Sequence, residues 1–174
     1  MISISQRPAG ANDRSEAGHW EGDLIFGTGQ QRAIGTLVER VSRYTLLVDF
    51  VSGVTADNVA AEFNRIFADL DPAVRRTLTW DQGYELAAHA TFTETSGIPW
   101  FFCDPRSPWQ RPTNENTNEL LRPYFPKKTS IAHVTAADLD HAEHRLNTRP
   151  RQTLNWLTPA QRLAEHVPRP LETA

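Results

Sequence analysis

The sequence has 174 residues and a net charge of −3, from 18 Lys and Arg against 21 Asp and Glu, and a chain of this length buries about 70% of its unfolded surface around one core. Hydrophobic residues make up 39% of the chain, aromatic residues 9% and charged residues 22%, which excludes disordered, collagen-like and coiled-coil proteins. No apolar run approaches the roughly 20 residues of a membrane span, and no signal peptide is recognisable. The single Cys103 cannot form an internal disulfide. We therefore expect a one-domain cytoplasmic protein with no membrane partner.

The first part of the chain predicts three strands. Residues 1–18 mix Ser, Pro, Gly, Ala and charges without periodicity, which indicates a linker or N-terminal tail. Apolar and polar residues then alternate over about 19–27, 32–41 and 43–51, as is typical of half-buried strands. Because the connections are short and polar, we expect these strands to form an antiparallel meander.

Helices and strands alternate in the next part. Apolar residues recur at helical spacing after the N-cap Thr55 and stop near Asp71. A short strand is predicted over 74–80, a helix over about 84–95 and a buried strand over 98–103. The order βββαβαβ predicts an α/β fold with a five-stranded mixed sheet flanked by helices.

Three further helices are predicted in the last third of the chain. The first covers about 113–122 and ends before a proline. Thr135 opens the second through a capping box, and Thr158 opens the third, which has proline at its first helical position. We therefore expect a folded core over 19–166 and a C-terminal tail over 167–174.

Charge is unevenly distributed along the sequence. Residues 1–105 contain 8 basic and 14 acidic side chains, whereas residues 106–151 contain 8 basic and 5 acidic ones. The basic part indicates a surface that faces a polyanion. A solvated surface with chance clustering is the alternative.

Three acids are directed towards one place by this layout. Asp23 lies in the first strand, Asp81 ends the fourth, and Glu115 lies in the first turn of the helix after the fifth. If the strands of Asp23 and Asp81 are parallel neighbours, both acids lie at one edge of the sheet. Three ionised carboxylates this close require a divalent cation, and oxygen ligands favour Mg²⁺ or Mn²⁺. The alternatives are a turn acid for Asp81 and an exposed strand face for Asp23.

Seven stretches of the chain carry a recognisable pattern. They are Gly18–Ile25, Gly35–Arg40, Leu78–Gly83, Cys103–Arg111, Thr113–Asn118, Tyr124–Lys127 and Leu146–Arg151. Together they resemble bacterial transposases of the insertion-sequence-thirty family. The resemblance covers about residues 3–165, and its most specific part is the Asn-Glu-Asn-Thr-Asn segment around Glu115.

This resemblance implies a ribonuclease-H-like fold, as in the catalytic cores of retroviral integrases. It assigns an Asp-Asp-Glu triad to Asp23, Asp81 and Glu115, which would bind two Mg²⁺ or Mn²⁺ ions and carry out DNA strand cleavage and strand transfer. The implied partners are the DNA of the element ends and of the target, together with further copies of the same chain.

The candidate DNA-binding residues lie in the basic part of the chain. Trp109, between two arginines, is a candidate for stacking on a displaced base, and the basic side chains are candidates for phosphate contacts. The full set is Arg106, Trp109, Arg111, Asn114, Asn118, Arg122, Lys127 and Lys128.

Several alternatives remain open from the sequence. The chain could be a truncated, catalytically silent fragment that oligomerises or binds DNA weakly, or a structure-directed nuclease that cuts without joining. Glu21 shares a strand face with Asp23 and is either an auxiliary carboxylate or a structural residue. Glu119 shares a helix face with Glu115 and could compete for metal. Pro112 departs from the family pattern, and we expect it to lie outside the helix of Glu115.

Overall fold

The computed structural model describes residues 1–29, 32–51, 53–81 and 88–168. Part of the predicted helix over 84–95 and most of the predicted tail over 167–174 therefore lie outside the described residues. The strands are β1 (Ile2–Ser3), β2 (His19–Phe26), β3 (Ala33–Glu39), β4 (Thr45–Phe50), β5 (Thr77–Trp80) and β6 (Trp100–Phe102). The α-helices are α1 (Ala9–Asn12), α2 (Ala56–Asp69), α3 (Ala88–Ser96), α4 (Pro112–Leu121), α5 (Ala136–Thr148) and α6 (Pro159–Ala164).

The strands form one mixed sheet in the order β1-β6-β5-β2-β3-β4. β2, β3 and β4 pair antiparallel, which confirms the predicted meander. β5 lies parallel to both β2 and β6, as connections through a helix require. The α/β prediction is thus confirmed, with β1 as a sixth strand beside the five that were predicted.

Hydrophobic side chains on the two faces of the sheet form two cores. On one face the sheet packs against α2 and α3, through residues such as Leu37, Phe63 and Trp100. On the other face Ile34 packs with Leu121 of α4 and Leu146 of α5. The result is three layers, helices–sheet–helices, which accounts for the burial of β3 on both faces.

Side chains of α5 cover the open edge of the sheet at β4. Asn147 accepts a hydrogen bond from the Thr45 amide (2.8 Å) and donates one to the Thr45 carbonyl (2.7 Å). Glu143 accepts from the Leu47 amide at 2.8 Å. These contacts satisfy backbone groups that would otherwise offer a template for pairing with another chain.

Residues 1–18 differ from the linker that their composition indicates. Ile2 and Ser3 pair in parallel with Phe101 and Phe102, and Ala11 is buried. The buried Arg7 side chain donates to Thr79 at 3.2 Å. Tertiary pairing therefore orders a segment that has no local periodicity, while the 19–166 limits of the core remain a prediction.

Two predicted boundaries differ because of proline. Residues 72–74 form a 3₁₀ turn capped by Asp71, so the strand predicted over 74–80 begins only at Thr77. Pro112 is the first residue of α4, whereas we expected it outside that helix. The first helical position suits proline because its missing amide hydrogen would have no partner within the helix.

No helix in the described part of the chain combines the length and apolar character needed to cross a bilayer.

Candidate active site

The parallel pairing of β2 and β5 brings Asp23 and Asp81 side by side. Glu21 of β2 is in register with Thr79 of β5. Because the two strands are parallel, Asp23 and Asp81, each two residues later in the chain, are again opposite each other. Side chains two residues apart lie on the same face of a strand. The predicted approach of these two acids at the carboxyl end of β5 is therefore found.

Gly22 lets the strands approach in this way. A Cβ atom at Gly22 would lie 2.0 Å from the ring of Trp80, which is far inside van der Waals contact. The buried indole of Trp80 thus crosses the backbone of β2 between Glu21 and Asp23. Only glycine leaves this space, and it fixes the end of β5 against β2.

Arg111 joins the two acids through its guanidinium. Its Nη2 donates to Oδ2 of Asp81 at 3.0 Å, and its Nη1 lies 3.4 Å from Oδ1 of Asp23. The same Nη1 donates to the Gly22 carbonyl at 2.8 Å. Arg111 is 5% exposed, so a buried cation balances two partly exposed carboxylates.

Two asparagines of α4 hold this helix against the sheet. Asn118 donates to Oδ2 of Asp23 at 3.0 Å. Asn114 donates to the Glu21 carbonyl at 3.3 Å and to the Thr36 hydroxyl at 3.1 Å. Because residues four apart lie on one helix face, both amides can face β2 and β3. They orient Asp23 and fix the start of α4.

Glu21 has a structural position beneath the acid pair. It is 0% exposed and forms an ion pair with Arg40. Its carboxylate also accepts a hydrogen bond from the backbone amide of Asn114 at 2.8 Å. That amide belongs to the first turn of α4, where backbone donors lack helical partners and negative charge is favourable. Glu21 therefore caps α4 from the neighbouring strand.

Glu115 does not join the two aspartates. Its side chain is exposed on the first turn of α4, and its amide donates to the Arg111 carbonyl at 3.1 Å. In the described ranges no three His, Cys, Asp or Glu side chains are grouped so that they could hold a metal ion. The structure thus brings two of the three predicted acids together around Arg111, while the role of Glu115 in the triad stays a prediction.

The two aspartates, without Glu115, have the chemistry to bind a cation. Carboxylate oxygens are the donors that Mg²⁺ and Mn²⁺ prefer, and Asp23 and Asp81 already face one positive group. Glu119 is directed elsewhere, because it pairs with Lys127 at 3.2 Å on the protein surface. Competition of Glu119 for a metal has no support in this arrangement.

The predicted DNA-binding residues separate into exposed and engaged side chains. Arg106, Trp109 and Lys128 are exposed, with Trp109 at 70%. Lys127 is exposed and pairs with Glu119, and Arg122 is half-buried. Arg111, Asn114 and Asn118 are instead buried. Their polar atoms contact β2 and its neighbours, which gives them a positioning role in this structure, and their contact with DNA stays a prediction.

Two residues of the site were not predicted from the sequence. Arg40 directly follows β3 and pairs with Glu21, and Thr36 binds both asparagines of α4. A signal existed for Arg40, since a basic residue at the end of a buried strand requires a buried acid. Thr36 carried no such signal, because threonine is common in strands.

The buried Cys103 thiol lies close to Arg111 and Asp81. Burial raises its pKa to about 11, while Arg111 opposes this shift and the charge of Asp81 adds to it. The thiol is therefore protonated at neutral pH and a weak nucleophile.

Comparison with known proteins supports this architecture. Residues 13–108 match the integrase core domain family. The chain is 49% identical over 172 residues to the transposase for insertion sequence element IS1086 of Cupriavidus metallidurans, which covers 99% of this chain and 50% of that protein. It is 48% identical over 158 residues to transposase InsI for element IS30A of Escherichia coli, which covers 91% of this chain and 41% of that protein.

A more distant relative extends the same pattern. The transposase for insertion sequence element IS4351 of Bacteroides fragilis is 32% identical over 166 residues, 95% of this chain and 50% of that protein. The chain thus spans half or less of the length of these curated relatives. The ribonuclease-H-like fold and the resemblance to insertion-sequence-thirty transposases are confirmed, and this chain belongs to the integrase core domain family.

Proposed function

We propose that this chain is the catalytic core of a DNA transposase, which cleaves and joins DNA strands with divalent ions bound by Asp23, Asp81 and Glu115. The observation that supports it is the convergence of Asp23 and Asp81, from separate strands, on a single cationic group. This convergence occurs in an integrase core domain. Such ions, when bound, would activate the attacking hydroxyl or water and stabilise the leaving oxygen.

The chain's own residues would prepare the site. Asn118 holds Asp23 by a hydrogen bond to Oδ2, which leaves Oδ1 towards Arg111. Arg111 neutralises the repulsion between the aspartates, and the same two carboxylates would hold a metal ion. Glu115 lies one helical turn beyond Arg111, and we propose that its exposed carboxylate turns towards the aspartate pair when the ions bind.

DNA would approach over the exposed basic residues. Arg106, Lys127 and Lys128 would contact backbone phosphates, and Trp109 would stack on an unpaired base. The DNA comprises the element ends and the target, and the working form contains more than one copy of the chain. A cytoplasmic location belongs to the same proposal.

A second candidate function is a catalytically silent core that oligomerises or binds DNA weakly. It is favoured by one observation: the cation between Asp23 and Asp81 is the buried guanidinium of Arg111, and Glu115 does not share it. In this case the ion pairs are a permanent part of the fold, and Mn²⁺ does not displace the guanidinium.

Calorimetric titration with Mn²⁺ separates the two functions. We compare the wild-type chain with Asp81→Asn, and with Asp140→Asn as a matched control because Asp140 is exposed on α5. Transposase chemistry predicts binding heat in the wild type and in Asp140→Asn, and its loss in Asp81→Asn. Equal heats from all three proteins would favour the silent core. Circular dichroism establishes that each variant is folded.

A plasmid strand-transfer assay tests the reaction itself. A transposase core should convert supercoiled plasmid and a labelled donor end into joined products, and Asp23→Asn, Asp81→Asn or Glu115→Gln should abolish them. Nicked or linear plasmid without joined products would instead indicate a structure-directed nuclease. If Glu115→Gln joins as well as wild type, the assignment of Glu115 fails.

A further inference from the structure

A pocket lined by arginines lies away from the aspartate pair. It consists of two adjoining clefts of about 260 and 320 Å³ that share Arg14, Arg43 and Thr153. Arg40 and Arg162 line the first cleft, and Arg151 lines the second. Each cleft is several times the roughly 30 Å³ that one water occupies in the liquid. We call this feature the arginine pocket.

Much of the positive charge in the arginine pocket is uncompensated. Arg40 pairs with Glu21 and Arg162 with Glu165. Within the described ranges, Arg14, Arg43 and Arg151 have no carboxylate within 4.0 Å. Arg14 and Arg43 both donate to the single hydroxyl of Thr113, at 3.3 and 2.8 Å. Two cations thus share one neutral acceptor, which leaves most of their donors available to a ligand.

The fold holds these cations together at a cost. Burial, followed by the charge of Arg14, lowers the pKa of Arg43 to about 10, and the charge of Glu39 opposes this shift only in part. Arg14 and Arg43 have φ of 60° and 63°, a left-handed conformation that non-glycine residues rarely adopt. Asn155, which lines the first cleft, has φ of 53°. Backbone strain of this kind is concentrated at functional sites, and an anion would relieve the repulsion.

Helix α4 separates the arginine pocket from the acids. Asn114 and Asn118 face Asp23 and its strand, whereas Asn116, Thr117 and Leu120 line the second cleft. Thr113, which receives Arg14 and Arg43, lies between the two sides. The pocket is therefore a separate site that shares α4 and Arg40 with the candidate active site.

We propose that the arginine pocket binds a phosphate group of the DNA backbone. Guanidinium groups match phosphate oxygens with paired, charge-assisted hydrogen bonds. Trp156, which follows the cleft residue Asn155 in the chain, is 69% exposed and would offer a stacking surface to the attached base. The choice of DNA as the source of the phosphate rests on the proposed function, whereas the phosphate chemistry rests on the pocket alone.

Fluorescence anisotropy of a labelled single-stranded oligonucleotide in EDTA tests the pocket without metal. Arg14→Gln and Arg43→Gln should each weaken binding about tenfold, the scale of one charge-assisted hydrogen bond. Each should also reduce the salt slope of log K by about one. Arg65→Gln is the matched control, since Arg65 is exposed on α2 and pairs with Glu62.

Folding is controlled in two ways. Thermal unfolding establishes that each variant is folded, and Arg14→Lys, which keeps the charge, should retain part of the affinity that Arg14→Gln loses. Arg162→Gln provides a second test on a more exposed side chain of the first cleft, with the same expected direction. Wild-type affinity in Arg14→Gln, Arg43→Gln and Arg162→Gln would overturn the proposal.

Competition identifies the source of the phosphate. Inorganic phosphate or pyrophosphate is added at the same concentration of phosphate groups as the oligonucleotide supplies. Neither should displace the oligonucleotide. Displacement would overturn the assignment to DNA in favour of a free phosphate ligand. The test is independent of the catalytic proposal, because EDTA removes divalent ions and anisotropy measures binding alone. Failure of the pocket would leave the Mn²⁺ titration unaffected.

Discussion

Arg111 donates to Asp81 at 3.0 Å, across 30 positions of sequence and from a residue that is almost fully buried. The same guanidinium lies 3.4 Å from Asp23, so the two acids are held at one place by a cation that the chain itself supplies. The proposed function requires that a metal ion replace this cation.

Arg111→Gln should therefore destabilise the protein and increase its response to metal. Two neighbouring carboxylates lose their shared counter-charge, and the Gly22 carbonyl loses its charged donor. A loss of about 2 kcal/mol is expected for such a hydrogen bond, or about 6 °C in Tm for a chain of this size. Mn²⁺ should raise the Tm of the variant more than that of the wild type.

The control for this prediction is the double variant Arg111→Gln with Asp81→Asn. It has one carboxylate instead of two, so the additional response to Mn²⁺ should disappear. An unchanged Tm without metal, or an equal Mn²⁺ response in wild type and Arg111→Gln, would show that the guanidinium does not stand in for a metal ion. Differential scanning fluorimetry in low salt provides both measurements.

Glu21→Gln distinguishes a structural residue from an auxiliary catalytic carboxylate. Gln can still accept from the Asn114 amide, but it leaves Arg40 buried without an opposite charge. Loss of one partner of a buried pair costs about 3–5 kcal/mol, so the urea midpoint should fall markedly. The double variant Glu21→Gln with Arg40→Met should regain part of the loss. Wild-type stability combined with lost strand transfer would instead identify an auxiliary carboxylate.

The positions of Asp23 and Asp81 could be predicted because they follow from period and topology. Alternation placed Asp23 within a strand, and a strand–helix–strand connection made β2 and β5 parallel neighbours. Each of these inferences needs only local pattern and a general rule of chain connection. The same rules do not predict which side of α4 packs on the sheet. The exposed position of the Glu115 side chain could therefore not be predicted.

Long-range polar contacts and short paired segments could not be predicted for a related reason. Arg111 and Asn114 resembled surface residues of the basic part of the chain, and only the packing of α4 on β2 shows that they are buried. Ile2 and Ser3 form a strand because β6 offers an edge. In both cases the determining partner is distant in sequence, where composition and periodicity contain no trace of it.

Cys103 should react slowly with iodoacetamide in the folded protein. With a pKa of about 11, roughly one thiol in a thousand is ionised at pH 8, and burial restricts access. In urea the pKa returns to about 8.5 and about a quarter is ionised. Mass spectrometry should show labelling at least about 100-fold faster in urea. Fast labelling of the folded protein would contradict the burial of Cys103.

Glu143→Gln should stabilise the protein at neutral pH. Burial raises the pKa of Glu143, an effect that the Leu47 amide opposes and the charge of Asp140 increases. The folded state therefore holds the proton more tightly than the unfolded chain, whose glutamate pKa is about 4.3. The carboxylate penalises the fold as pH rises above that value, and the penalty is complete above the folded pKa. Gln removes the charge and can still accept from Leu47.

The Tm of Glu143→Gln should exceed that of the wild type at pH 7 to 8, and the difference should vanish below about pH 4, where Glu143 is protonated in both states. Glu94→Gln is the control, because Glu94 is exposed on α3 and the same change of charge should leave Tm nearly unchanged. Lower stability of Glu143→Gln at every pH would contradict this prediction. It would mean that the hydrogen bond from the Leu47 amide to the ionised carboxylate stabilises the fold more than burial of the charge destabilises it. The edge would then depend on the charge of α5 and not only on its hydrogen bonds.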